Sequence, residues 1–435
     1  MGRVSWPELP APRSDRPRVV LDLVPIEAGQ GGGGGGIWRY ASMLARAMDA
    51  LDPTDMELIV LTNPRQRLGL DHAREVVVPV DTRSRMGRLR WIHRQLPALC
   101  GRYQVAALHK LATEVPWWRP PCRLVTTMHD FMADHYADRY AAPAYAPGGR
   151  AQDKAAPARR SVGRRLHDSY FRAIVRRCFE TSDALITGSH AVVREAERRF
   201  PGSAGRMDVV YHGVTPSPQD GRPSEHRDHV DGAPSGSPTP NWDGSTRLLT
   251  VGALLPHKGH HSALHAAAAL AALSPGDDSS VVLTIHGHAP DASYERYLRA
   301  IADHLSSSVT TSFRRYDESL DGRELYAGAD VLLQLSSYEG FGLPPLEAQA
   351  AGVPVVCNDI PVFREVLGDG AIFVDRENPR EVAESVRRIL RDGDVRGMLV
   401  ERGRTNAAKY TWQRSARRTL DVYRGVLGLA PAIIG

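Results

Sequence analysis

The segment Ser336–Glu347, SSYEGFGLPPLE, combines residue types that together could hold an anion and a sugar. Gly340 and Gly342 permit close backbone approach. A helix starting just after them would present unpaired N–H groups and the positive end of its dipole. Pro344 and Pro345 suit a first helical turn, where a missing N–H costs nothing, which leaves the amides of Gly340–Leu343, Phe341 included, to hold a phosphate. Glu339 and Glu347 bracket the loop, and carboxylates accept well from sugar hydroxyls. Complementing the helix dipole or simple solvation would explain the same two residues, and the residue types leave both readings open.

A second segment, Val251–Gly259 (VGALLPHKG), follows a strand-like run and carries Lys258, which could neutralise a diphosphate as a point charge. A loop lysine is also an ordinary solvated residue. Gly31–Gly36 forms a glycine-rich turn before a helical pattern, but lacks both the GxGxxG and the Walker endings. In Thr126–Phe131 (TTMHDF), His129 and Asp130 could contact a sugar or orient a hydroxyl. Metal binding would need three or four convergent ligands, and no second cluster of matching spacing accompanies them. His257, His260, His261 and His265 lack a companion carboxylate and are expected to be solvated. Arg83–Lys110 holds seven basic residues and no acid, interleaved with Trp91, Ile92, Leu96 and Leu99. Such a stretch reads as a packed helix with a cationic face, or as a surface for anionic membrane.

The elements that must position these residues follow from periodicity. Apolar runs at Arg18–Val24, Glu57–Leu61, Val76–Val80, Val105–Leu108, Leu124–Thr127, Ala184–Thr187 and Val209–Val210 alternate with helical patterns such as Ile37–Ala50. The alternation restarts at Arg247–Gly252, Val281–Gly287, Asp330–Leu335, Val353–Val356 and Ala371–Val374. Between the two series lies Thr215–Thr246, rich in Pro, Ser, Gly and Asp, which reads as a linker. The expected plan is a loose tail at 1–17, a first α/β domain at 18–214 with a mobile insert at about 141–165, the linker at 215–246, a second α/β domain at 247–410 and a C-terminal helix within 411–435 packing back on the body.

Length and composition bound the function. With 435 residues, 42% hydrophobic and 24% charged, the chain can build two packed cores. The first residues contain no apolar stretch of signal type, and no run approaches membrane-spanning length, so a cytoplasmic location is expected, with a peripheral place at the inner membrane face if the basic stretch docks there. Four scattered cysteines fit neither a disulfide framework nor a zinc site. A net charge of +5 suits an anionic partner but is modest for nucleic acid, which is not expected.

Taken in order, these motifs resemble the retaining two-domain glycosyltransferases of the GT-B fold, in glycosyltransferase family four (group 1), close to the mannosyltransferase-B-like branch. The likeness covers nearly all of Arg18–Leu427 and is strongest over Leu325–Val374, where Glu339 and Glu347 are separated by seven residues as in the family's hallmark loop. VGALLPHKG, TTMHDF, ITGSHAVVREAERRF and the glycine run with IWRYASMLARAM match four further family segments.

The resemblance implies two doubly wound Rossmann-like domains facing across a cleft. It implies a nucleotide-diphospho-sugar, with a lean toward GDP-mannose, as donor, and a glycan or lipid-linked sugar as acceptor. Glu347 would take the ribose hydroxyls, Glu339 the donor sugar, and Phe341, Gly342 and Leu343 the sugar or diphosphate, with Gly252 and Gly340 in the same donor site. Lys258 would neutralise the leaving diphosphate, His129 would sit near the donor sugar and acceptor, and Gly35 and Gly36 would approach the phosphates. Arg39 and Asp130 fall on the acceptor side. Neither a cofactor nor a metal is expected, and transfer would proceed with retention. Many relatives carry Arg where Ala253 and His257 stand; their loss would leave Lys258 with much of the diphosphate charge, with Arg39 or another arginine to compensate. The other function classes are a nucleotide-sugar epimerase of the same fold and a non-catalytic sugar-binding protein.

Overall fold

The computed structural model describes residues 15–27, 34–132, 162–215, 245–273, 280–290, 292–315 and 322–430, with Leu9 and Ala11. Most of the expected tail, insert and linker, and the first half of the glycine run, lie outside these residues. The last positions of the expected insert belong instead to a helix, Val162–Thr181.

The first series of apolar runs forms one parallel sheet of β1 (Arg18–Asp22), β2 (Glu57–Thr62), β3 (Arg74–Val77), β4 (Ala107–Lys110), β5 (Arg123–Met128), β6 (Ala184–Thr187) and β7 (Met207–Val209), in the order β3-β2-β1-β4-β5-β6-β7. The second forms β8 (Thr246–Val251), β9 (Val281–His286), β10 (Val309–Arg314), β11 (Val331–Gln334), β12 (Val355–Asn358) and β13 (Ala371–Val374), in the order β10-β9-β8-β11-β12-β13. Every residue of β1 and β2 is buried, as expected for parallel strands covered by helices on both faces. In each sheet the order reverses beside the first strand, between β1 and β4 and between β8 and β11. Ligands of open parallel sheets bind outside the carboxyl ends of the strands at such a reversal.

Among the elements that escaped the apolar pattern are a strand and a glycine-containing helix of the second domain. β10, VTTSFR, is an edge strand whose alternating polar residues hide it from a search for apolar runs. The helix Gly393–Ala407 contains three glycines, yet Asp392 accepts from the amides of Asp394 and Val395 and caps its start. The C-terminal helix Trp412–Leu427 returns to the first domain, burying Trp412, Leu420 and Tyr423 in the cluster that holds Tyr40, Leu44 and Met48.

The membrane-surface reading of Arg83–Lys110 is corrected. Trp91, Ile92, Leu96 and Leu99 are 0–1% exposed and belong to the first domain's core, so this stretch offers a bilayer no apolar face built from them. Arg83 pairs with Glu27 and Arg88 with Glu114, while Arg85, Arg90 and Arg94 are exposed. Lys110 is not a surface cation either. It is buried at the first sheet's reversal point, directly opposite Asp22 in register, and bonds the Asp22 carboxylate. Trp91 Nε1 and the Val24 amide donate to the other oxygen of Asp22 at 3.1 and 3.2 Å.

Removing one member of a fully buried pair strands the other charge, which typically costs about 3–5 kcal/mol. Lys110→Met is expected to destabilise the protein on that scale in urea melts, whereas the joint change with Asp22→Leu recovers much of the loss. Equal stability of Lys110→Met and the parent chain would show the pair to be unimportant.

Candidate functional site

A cleft of about 670 Å³ opens between the carboxyl edges of the two sheets. Its walls include Gly35, Gly36 and Arg39 from the helix Gly34–Leu51, His129 and Asp130 after β5, Gly252, Ala253, His257 and Lys258 after β8, and Glu339–Leu343 with Glu347 after β11. The residues singled out from sequence thus converge on one cavity, because strand-to-helix loops in parallel sheets all emerge on the same edge.

Two glycines shape the loop after β11. Gly342 adopts φ +100° as the residue before the helix Leu343–Ala351, and a Cβ there would meet the Phe363 ring at 2.8 Å. Gly340 lies against the backbone of the first domain: a Cβ would stand 2.1 Å from the His129 carbonyl oxygen. Ser189 Oγ donates to the Gly340 carbonyl at 2.8 Å, and the Phe131 amide donates to Tyr338 Oη at 2.8 Å. Tyr338 in turn donates to Glu195 at 2.7 Å. The loop that carries Glu339 is therefore fixed from the opposite domain.

Lys258 sits in a short 3-10 turn, Pro256–Lys258, and its Nζ donates to both oxygens of Glu339 at 2.8 Å. Ser336 Oγ donates to Glu339 Oε1 at 2.8 Å as well. Glu347 receives Arg39 Nε on one oxygen at 2.8 Å and the Tyr326 hydroxyl on the other at 2.9 Å. Burial pushes the Glu347 carboxyl above its ordinary range, against the pull of Arg39 and Tyr326. Arg39, expected on the acceptor side, is thus bonded to the carboxylate expected to take the ribose. Asp130 Oδ1 accepts from the Met132 amide at 2.8 Å, and burial raises its carboxyl too.

His129 Nε2 donates to the Leu111 carbonyl at 2.9 Å, which leaves Nδ1 as the acceptor of a neutral ring. The ring stands edge-on to Tyr40 at 4.9 Å between centroids. Tyr40 and His109 both bond Thr127, and His109 bonds Tyr423 of the C-terminal helix at 2.6 Å, so a buried polar chain supports His129 from below. Sequence reasoning missed Tyr326, Tyr338, Ser189 and Glu114; single tyrosines, serines and glutamates carry no spacing signal. Arg88, read as part of a cationic face, lines the cleft with Glu114.

The expectation of solvated histidines at His257, His260 and His261 is corrected. His257 and His260 are 1% and 0% exposed. His260 bonds the Ala253 carbonyl at 3.1 Å and His261 the Tyr294 hydroxyl at 2.8 Å. His257 belongs to the Lys258 turn itself, and His260 and His261 open the helix His260–Ala272 that follows it. No group of three or more His, Cys, Asp or Glu side chains among the described residues could hold a metal. No described helix is long and apolar enough to cross a membrane.

Burial lowers the pKa of His129 and His260 to about 4 and of His109 and His261 to about 3. The unfolded chain therefore binds protons near pH 6.5 that the folded protein refuses, so stability is complete above about pH 6.5 and falls as pH drops toward 4. Urea midpoints should decrease steadily from about pH 7 to about pH 5, and more shallowly in His260→Gln than in the parent chain. A flat profile over that range would show these rings to titrate alike in the folded and unfolded chain.

The chain matches the family description "Glycosyltransferase Family 4" over residues 34–217 and "Glycosyl transferases group 1" over residues 238–406. It is 28% identical over 256 residues to a D-inositol 3-phosphate glycosyltransferase of Corynebacterium urealyticum, covering 57% of this chain and 58% of the relative. It is 35% identical over 100 residues to O-antigen chain mannosyltransferase B of Escherichia coli, covering 23% and 26%. These alignments span little more than half the relatives' length at most. The fold is similar to Anabaena Alr3699/HepE, solved in complex with UDP-glucose, with a TM-score of 0.59 at 15% identity over 93% of this chain and 99% of that one. Two family descriptions meeting in one chain, each over one of two Rossmann-like domains that face each other across a cleft, make this protein a member of the group 1, family 4 glycosyltransferases with the GT-B fold.

Proposed function

We propose that the protein transfers a sugar, with retention, from a nucleotide-diphospho-sugar to a glycan or lipid-linked acceptor in cell-surface polysaccharide synthesis. The observation that carries this reading is the placement of Lys258, Glu339 and the N-terminus of Leu343–Ala351 on one wall of the cleft, with His129 opposite. A diphosphate on that wall would meet one ammonium, the amides of Gly342 and Leu343, and a helix dipole, which together supply the positive charge that a departing diphosphate needs. No cofactor and no metal enters the proposed reaction. Domain limits at 18–214 and 247–410 belong to the same proposal.

In the proposed step the bond between the anomeric carbon and the β-phosphate oxygen breaks as the acceptor oxygen attacks from the same face. The acceptor proton passes to the departing phosphate oxygen, so charge develops on the diphosphate beside Lys258. Glu339, held by Lys258 and Ser336, is positioned to receive donor-sugar hydroxyls, and Glu347 the ribose. His129 and Asp130 form the wall toward the acceptor. Mannose with a guanine nucleotide is the donor favoured, supported by the likeness to a protein named mannosyltransferase B. A cytoplasmic location, peripheral at the inner membrane face, belongs to the same proposal; Met86 and Trp118 are exposed apolar side chains that could meet such a surface.

A panel of nucleotide-diphospho-sugars in thermal-shift and calorimetric titration, with and without EDTA, tests the donor. One sugar nucleotide should stabilise the protein equally in both conditions. Stabilisation that EDTA abolishes would put a metal in the site, and silence across the panel would remove the donor assignment. Lys258→Ala and Glu339→Ala should each lower transfer by on the order of 10²-fold or more. Full activity in both variants would place the chemistry elsewhere.

A further inference from the structure

The first domain's wall of the cleft carries a carboxylate of its own, Glu114, in the segment that follows β4. His129 Nε2 donates to the Leu111 carbonyl at 2.9 Å, so that segment runs beside the His129 ring. Thr113 Oγ1 donates to Met128 Sδ at 3.8 Å and ties it to the end of β5. Glu114 lines the cleft, with its side chain 13% exposed. Arg88 places Nε 2.6 Å and Nη2 2.5 Å from Glu114 Oε2, and its Nη1 donates to the Pro25 carbonyl at 3.0 Å. The carboxylate is thus held by one oxygen, while Oε1 accepts nothing from the described residues.

The surroundings of Glu114 decide what that oxygen can take. Phe131, Met132, Phe171 and Val175, all of the first domain, line the same cleft. The Lys and Arg side chains among the described cleft residues each have a carboxylate: Lys258 has Glu339, Arg39 has Glu347 and Arg88 has Glu114. Beside His129, Asp130 adds a further carboxyl. A carboxylate oxygen next to apolar side chains suits a neutral sugar, whose hydroxyl donates to Oε1 and whose C–H face packs on the apolar wall. A phosphate in the same place would stand against Glu114, a like-charge contact that lowers affinity.

We propose that Glu114 selects the acceptor, taking a hydroxyl of a neutral sugar and turning away acceptors that carry a phosphate at that position. Arg88 is its positioning residue. The inference deepens the sugar-transfer reading and rests on it. Selection by repulsion makes a prediction that packing does not: without the Glu114 charge, Arg88 keeps only the Pro25 carbonyl, and its guanidinium becomes a site for phosphate on the same wall.

Initial rates of transfer from the sugar nucleotide that binds test this on two acceptor sets. One holds the methyl glycosides of mannose, glucose, galactose and N-acetylglucosamine; the other holds mannose 6-phosphate, glucose 6-phosphate and myo-inositol 3-phosphate. The parent chain should use at least one methyl glycoside and prefer it to every phosphorylated compound. Glu114→Gln should raise the KM for that glycoside more than it changes kcat, and lower the neutral-to-phosphorylated ratio of kcat/KM by about tenfold or more. Arg88→Met should raise the same KM without improving any phosphorylated acceptor, with Arg88→Lys between it and the parent chain. If thermal melting shows Glu114→Gln to be unfolded, the Arg88 variants decide. A parent chain that prefers a phosphorylated acceptor, transfer to no methyl glycoside, an unchanged ratio in Glu114→Gln, or an unchanged KM in both Arg88 variants overturns the selection by Glu114; calorimetric binding of a sugar nucleotide would still leave the transfer reading standing. Failure of every sugar nucleotide to bind the parent chain overturns that reading and the selection with it.

Discussion

The carbonyl oxygen of His129 and the backbone of Gly340 touch so closely that no side-chain carbon fits between them. That contact sets the distance between the two sheets at the mouth of the cleft. Around it, Ser189 holds the Gly340 carbonyl, Tyr338 joins Phe131 to Glu195, and Glu365 of the second domain accepts from the amides of His190 and Ala191 at the start of a first-domain helix. The carboxylate there also meets the positive end of the His190–Arg199 dipole. Every cross-cleft relation described above, Arg39 on Glu347 included, depends on this spacing.

Charge in the cleft is arranged as neutral pairs rather than as a basic field. Lys258, Arg39 and Arg88 each face a carboxylate, so their charges are oriented and partly desolvated without being left unpaired. A ligand carrying phosphates and hydroxyls can add to such pairs without breaking them, its phosphate beside Lys258 and its hydroxyls on the carboxylates. This is a different solution from a cluster of free cations, and it fits a chain whose net charge is only +5. The buried Asp22–Lys110 pair applies the same logic one layer deeper, fixing the end of β1 beside β4.

Much of the scaffold was legible in order. Parallel strands covered on both faces are continuous apolar runs, so β1, β2, β8, β9 and β11 stand out within a residue or two of their ends. β10 does not, because an edge strand keeps one side polar. The helix Trp412–Leu427 is legible from Leu420, Tyr423 and Leu427 on one face, but the partner of that face is not, since a stripe of apolar residues does not say which core it joins. The basic run Arg83–Lys110 shows the same ambiguity: its apolar residues entered the core and its Lys110 a buried pair, which residue types alone cannot distinguish from a membrane-facing surface.

By itself, the sequence determined that two parallel α/β units occur in succession, that Gly340, Gly342, Glu339, Lys258 and His129 stand in loops after strands, and that Glu347 follows on a helix. Those facts follow from local periodicity and from the few residues compatible with a tight strand-to-helix turn. Which of these groups touch was decided only by tertiary structure. Lys258 meets Glu339 across 81 positions, and Arg39 meets Glu347 across the gap between domains. Contacts of that kind arise when two sheets turn their carboxyl edges toward each other at a separation set by backbone packing, and no spacing along the chain encodes that distance.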